Sequence, residues 1–201
     1  FKLPEVLTVE EIDRIFSAVD RSKAEGQRNR AILETLYSCG LRVSELVNLK
    51  LSDLYFDEGF IKVEGKGSKQ RLVPISPRAI NEIKLYFTDR NRIEVKKEYE
   101  DFVFVSQRRG KGLSRIMIFH MIKELAQTAG IIKNISPHTF RHSFATHLLE
   151  GGANLRAIQC MLGHESIATT EIYTHIDRNM LRSEIIEHHP RNIKYRKEKE
   201  R

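Results

Sequence analysis

A mostly helical fold with one small antiparallel β meander, an α+β architecture, is what this sequence predicts. Three observations carry that reading. Apolar residues recur at helical spacing over most of the chain, capping residues flank those stretches, and the period turns strand-like chiefly between Leu54 and Ile75. The 201 residues can bury a sizeable core, and a hydrophobic share of 40% beside a charged share of 30% excludes bulk disorder, collagen and coiled coil.

The elements follow in order. Thr8-Val-Glu-Glu11 is a capping box, and Ile12, Phe16 and Val19 behind it repeat at helical spacing. Ile32, Leu33, Leu36 and Tyr37 mark a second helix that runs into Cys39-Gly40, where Gly40 supplies a left-handed stop. A short third helix is predicted through Val43, Leu46, Val47 and Leu49. Leu54–Phe56, Phe60–Val63 and Arg71–Ile75 then read as strands, joined by turns at Asp57-Glu-Gly59 and Gly65-Lys-Gly-Ser68. Ser76-Pro77 resets the chain to helix, with serine as cap and proline in the first turn. Residues 89–101 are dense in charge and compatible with a loop or a continuing helix. Phe102–Val105 reads as a short strand, Gln107–Gly112 as a basic loop, and Ser114–Ala129, Ser136–Glu150 and Asn154–Leu162 as helices. A two-turn helix over Ser166–Tyr173 and a polar tail with a charge-rich end at Lys194–Arg201 complete the expectation.

Composition narrows the function classes. Thirty-four Lys and Arg against 27 Asp and Glu leave a net charge of +7, which suits a polyanionic partner. No apolar run approaches the roughly 18 residues of a membrane span. Cys39 and Cys160 are too few for a disulfide scaffold or a cysteine zinc site, so a reducing, cytoplasmic setting is expected. The chain begins at Phe1 rather than Met, which predicts a fragment or a processed product.

Several polar residues sit at helix ends and turns, where a rigid scaffold places functional groups. Arg42 follows the Gly40 stop, and Glu45 shares its helical face and can orient it; a local ion pair is the alternative. Lys66 occupies a glycine-flanked hairpin tip with Lys69 and Arg71 behind it, suited to a phosphate backbone or simply to solvent. His138 falls in the first turn of a proline-started helix, where backbone amides favour anions, and Arg141 lies one turn on. His138 and His142 have the i, i+4 spacing of helical zinc ligands, with His147 nearby. The glutamate of such motifs is absent and Arg141 would set a cation beside the metal, so no metal is expected. His142 and His147 are expected to pack or bond locally. His164 sits in the turn after Leu162-Gly163, and Tyr173 ends the predicted two-turn helix.

Gly40-Leu-Arg-Val-Ser-Glu45, Gly65-Lys-Gly67, His138-Thr-Phe-Arg141, Leu162-Gly-His164 and Ile172-Tyr-Thr-His175 together resemble the ordered motifs of tyrosine recombinases. The flanks Arg71-Leu-Val-Pro74, Ala145-Thr-His-Leu148 and His189-Pro-Arg191 resemble the Xer type. The likeness covers nearly the whole chain, in order and with fitting spacing, and lacks only the family's upstream helical core-binding domain. It implies a catalytic domain over residues 1–175 and a tail over 176–201. In that tail Ile176, Leu181, Ile185 and Ile186 would pack on a neighbouring subunit or fold back as an intramolecular helix.

The resemblance also implies roles. Tyr173 would attack a phosphodiester, Arg42, Arg141 and His164 would stabilise the transition state, and His138 would take the tyrosine proton. Lys66 would protonate the leaving oxygen and Glu45 would hold Arg42. Arg108, Arg109 and Lys111, with Lys69 and Arg71, are candidate DNA contacts. No cofactor is implied. The implied partner is double-stranded DNA, with a homo- or hetero-tetramer assembled on paired sites and no membrane. A type IB topoisomerase and a non-enzymatic DNA-binding module are the competing readings.

Overall fold

The computed structural model describes residues 5–163 and 178–201. Helix α1 spans Val9–Ser17, and its capping box forms as expected: Thr8 Oγ1 accepts from the Glu11 amide while Glu11 accepts from the Thr8 amide. Helix α2, Gly26–Cys39, is the central strut. Every residue from Ala31 to Cys39 is buried, so it is covered on all sides rather than along one stripe. It packs against α4 (Pro77–Arg90), α6 (Pro137–Glu150) and the short α3 (Val43–Val47). Gly40 ends α2 at φ 65° with the Phe144 ring pressed against its Cα, a place that admits no side chain.

The predicted meander is present as a three-stranded sheet in the order β1-β2-β3. Its strands are Leu54–Tyr55, Phe60–Glu64 and Gln70–Pro74, and Val63 stands opposite Arg71. Ser76 caps α4 through the Ala79 amide, with Pro77 in the first turn. Helices α5 (Arg115–Thr128), α6 and α7 (Leu155–Leu162) lie where the apolar spacing puts them. Asn154 caps α7 at one end and Gly163, at φ 71°, ends it at the other.

Three segments differ from expectation or settle it. Residues 102–105 are not a strand: only isolated bridges pair Lys50 with Phe102 and Val105 with Gly112. The Phe102 and Val103 amides donate to the Tyr99 and Leu49 carbonyls, and side chains take several of the other backbone groups. Arg90 donates to the Phe102 and Val103 carbonyls, and Tyr86 Oη accepts from the Val105 amide. The charged stretch after α4 is a turn followed by a single 3₁₀ turn at Lys97–Tyr99, not a continuing helix.

The third difference is the tail. Instead of a polar extension it forms α8 (Arg178–His188) and α9 (Pro190–Lys199), which lie against the body of the same chain. Leu181, Ile185, His189, Arg191 and Asn192 are buried there. His189 caps α9 by accepting from the Arg191 amide, and its other ring nitrogen donates to the Tyr37 carbonyl. The predicted helix over Ser166–Tyr173, together with Ile176, lies outside the described residues.

Candidate active site

The site grows from the end of α2. After the left-handed Gly40 and the buried Leu41, the chain enters α3 with Arg42 at its cap position. Glu45 reaches back to accept the Arg42 amide at 2.9 Å, which fixes the turn, and its side chain is only 1% exposed. A buried carboxylate needs cations around it, and three arginines supply them. Arg71, from β3, grips Glu45 with both terminal nitrogens. Arg42 stands 3.7 Å from one carboxylate oxygen and Arg141 4.0 Å from the other.

Arg141 is held by more than charge. It donates to the Gly40 carbonyl at 2.8 Å and to the Leu162 carbonyl at 2.6 Å, linking the ends of α2 and α7 to the first turns of α6. Arg71 also donates through Nε to the Met161 carbonyl at 2.9 Å. Two guanidiniums thus occupy the carbonyls that the end of α7 leaves without helical partners.

Three guanidiniums against one carboxylate leave an excess of two positive charges. Burial, reinforced by the neighbouring Arg42 and Arg71, pushes the pKa of Arg141 down to about 10. Glu45 moves the other way. Burial pushes its carboxyl up, but the Arg71 hydrogen bond and charge, with Arg42 and Arg141, hold it below its ordinary value. Both groups are therefore ionised at neutral pH. Such a cluster is prepared for a phosphate oxyanion and repels a metal ion.

A cleft of about 800 Å³ opens beside the cluster, lined by Arg42, Glu45, Gly65 and Lys66 among others. Lys66 lies exposed at the tip of the β2–β3 hairpin, in a single 3₁₀ turn where Gly67 takes φ 72°. The Gly65 amide closes the hairpin on the Lys69 carbonyl at 2.7 Å. Lys69 is exposed. His138 is exposed in the first turn of α6, one turn before Arg141.

Other expected residues lie elsewhere. Arg108, Arg109 and Lys111 are exposed on a loop at the far end of α2, where Arg28 contacts the Val105 carbonyl. Arg108 lines a separate cleft with Arg21 and Lys23, so the loop is about one α2 length, roughly 20 Å, from the arginine cluster. His142 is exposed and His147 buried, the latter accepting from Tyr37 Oη at 2.6 Å and donating to the Leu7 carbonyl at 2.7 Å. Burial holds His147 below its usual pKa. His164 and Tyr173 lie outside the described residues.

Arg71 departs most from the sequence reading, which set it among the DNA contacts. Its side chain is 9% exposed and its fork is closed on Glu45. The signal was present in strand alternation: Arg71, Val73 and Ile75 share one face, and Val73 and Ile75 are core residues.

Residues 5–180 match the phage integrase family. The chain belongs to that family. Among curated integrase-family relatives, it is 44% identical to tyrosine recombinase XerD of Halalkalibacterium halodurans, aligned over 94% of this chain and 63% of the relative. It is 47% identical to XerD of Chlorobaculum tepidum, again over 94% of this chain and 63% of the relative. The chain therefore spans less than two thirds of the length of these proteins. Solved structures share the architecture. XerA recombinase superposes with a TM-score of 0.73 at 38% identity, covering 94% of this chain and 65% of XerA. XerH site-specific recombinase, bound to its difH substrate before cleavage, superposes with a TM-score of 0.71 at 30% identity, covering 87% of this chain and 51% of XerH. This fold is that of tyrosine-recombinase catalytic domains. Among the described residues, no helix is long and apolar enough to cross a membrane.

Proposed function

We propose that this chain is the catalytic part of a site-specific DNA recombinase that cuts and rejoins strands through a 3′-phosphotyrosyl link. The observation that carries the reading is the charge-unbalanced arginine cluster around Glu45, open beside the Lys66 hairpin. XerH, a relative of the same fold, has been solved with its substrate both before and after cleavage.

In this scheme Tyr173 Oη attacks the scissile phosphorus and the 5′-oxygen leaves. The phosphate is kept in a covalent bond for resealing without ATP or a metal. Charge accumulates on the non-bridging oxygens, where Arg42 and Arg141 donate forked hydrogen bonds, assisted by His164. His138 takes the tyrosine proton and returns it on resealing, while Lys66 protonates the departing 5′-oxygen. Glu45 holds Arg42 through its amide and its charge. Lys69 and the Arg108, Arg109 and Lys111 loop supply further cations to the duplex. Exchange between two duplexes calls for four subunits, identical or paired with a second recombinase, in a cytoplasmic setting. The job is integration, excision or chromosome-dimer resolution. Residues 1–175 form the catalytic domain, and residues 176–201 form its C-terminal tail, whose helices α8 and α9 fold back on the same chain.

A nicked suicide duplex tests the reading, because the short 5′-fragment diffuses away and traps the covalent state. A protein–DNA adduct that survives denaturation is the expected result. Retarded DNA with no adduct would assign the chain to DNA binding alone. Relaxation of supercoils without strand exchange would assign it to the topoisomerase class.

A further inference from the structure

We propose that Arg71 is a positioning residue for the phosphate site, the hub that holds together the three backbone segments carrying its functional groups. This rests on the strand-cleavage reading above and adds a residue to it. The first segment is α3. The Arg71 fork fixes Glu45, which in turn takes the Arg42 amide at 2.9 Å and faces the guanidiniums of Arg42 and Arg141. The second is the β2–β3 hairpin. Gly65 lies in van der Waals reach of the fork, a Cβ there standing 3.4 Å from Arg71 Nη1 and 3.5 Å from Glu45 Oε2. The third is the end of α7. Arg71 Nε donates to the Met161 carbonyl at 2.9 Å, and a Cβ on Gly163 would meet Arg71 Cδ at 3.0 Å.

The two glycines in this arrangement directly precede Lys66 and His164 in the sequence. Each chain segment therefore enters its functional residue from a point fixed against the same guanidinium. Only arginine serves here. A planar fork grips a carboxylate with two nitrogens while Nε points to a third acceptor, whereas lysine offers one point charge. At 9% exposure and with its fork closed on Glu45, Arg71 is not placed to neutralise a DNA phosphate itself.

The test uses Arg71→Lys and Arg71→Gln in the 201-residue chain, with three readouts. In single turnover on the suicide duplex, adduct formation should slow by about 10²-fold, the scale of a 1 Å misplacement of reacting groups. Binding of orthovanadate, a small oxyanion probe, should weaken about tenfold by calorimetry, as when an outer partner of a site is removed. The salt dependence of duplex binding should not change, whereas loss of a phosphate contact would lower its slope by about 0.9.

Arg78→Lys, in a structural ion pair with Glu34 on α2, controls for stability. It should lower the melting temperature and leave the cleavage rate per folded molecule at the parental value. Parental cleavage and vanadate affinity in Arg71→Lys would overturn the proposal, and so would a reduced salt slope. If the parent makes no adduct but Arg71→Lys still weakens vanadate, the cleavage reading falls and the positioning role stands. A parent that neither cleaves nor binds vanadate ends both.

Discussion

Two arginine–glutamate clusters stand along the same stretch of chain, one just beyond the end of α2 and one halfway along it. Around Glu45, three arginines face one carboxylate. Around Glu34, Arg191 and Arg78 find further partners in Asp13 and Glu198, and Lys194 joins Asp13, so cations and carboxylates in these pairs match in number. Arg141 and Arg191 shift in opposite directions, although Arg30, beside Glu34, is also lowered to about 10 by burial. Arg141 is pushed down by burial and neighbouring cations, whereas Arg191, although burial works against it, is pushed up by Glu34 and Asp13. A balanced cluster is complete and stabilises the fold. An unbalanced one is complete only when an anion arrives from outside.

Substitutions that separate recognition from chemistry, and chemistry from folding, can break or sharpen this contrast. The largest effect belongs to Tyr173→Phe, which should abolish the adduct in denaturing gels while duplex affinity stays close to parental. Lys66→Ala should slow cleavage by about 10² to 10⁴-fold, the worth of a positioned general acid. Replacing the bridging 5′-oxygen with sulfur should restore that rate, because a thiolate leaves without a proton; no restoration would make the hairpin only a DNA-gripping arm. Arg141→Ala should lose roughly 10² to 10³-fold in single-turnover cleavage, the range for one transition-state donor, and sulfur should not rescue it.

Arg191→Ala tests the other cluster. It leaves buried Glu34 with Arg78 as its remaining arginine and should cost up to about 3 kcal/mol by urea denaturation, the low end for a broken buried pair, with cleavage per folded molecule unchanged. Equal damage to chemistry would dissolve the distinction between the clusters.

The smallest effect is in pH. Burial, aided by the charge on Arg191, pushes the pKa of His189 down to about 3, whereas an unfolded histidine titrates near 6.5. Between those values the unfolded chain binds a proton that the folded chain refuses. Stability from His189 is thus full above pH 6.5 and falls on acidification, by about 1.4 kcal/mol per pH unit. His147, also held down by burial, adds to the same limb. His189→Asn keeps a capping side chain on α9 and should make the slope shallower between pH 6.5 and 4.5. The Glu45 contribution lies lower. Its folded pKa is depressed, so its share is present above the ordinary glutamate range and is lost as pH falls through the folded value.

The parts of the fold legible in sequence were those set by neighbours a few residues apart. Thr8 with Glu11, Ser76 with Pro77, and the Gly40 stop announced their helix ends because each cap is satisfied locally. Phe102–Val105 misled because its strand-like pattern does not reveal that Arg90 and Tyr86 take its backbone groups. The tail misled because its charge looked solvated, while the acceptors of Arg191 sit on α1 and α2. In the site, Arg42, Glu45 and Arg141 stood out by position and came together as a cluster. Arg71 was read as a surface cation because its partner lies 26 residues back and the α7 carbonyl 90 residues on. Spacing reports on one element, whereas a guanidinium that joins three elements is visible only once they are assembled.

The Arg191–Glu34 pair has a consequence in time. The two residues are 157 positions apart, and at about 5–20 residues per second a ribosome needs roughly 8 to 30 s between them. For most of that interval Glu34 has only Arg78, 44 residues on, as its arginine partner, so the middle of α2 is neutralised in part before Arg191 arrives. The ends of α2 and α7, which meet at Arg141, can associate once Leu162 has emerged from the ribosome. The phosphate site is therefore in a position to form before the chain is sealed, and sealing is the step that a truncated or stalled translation product would miss.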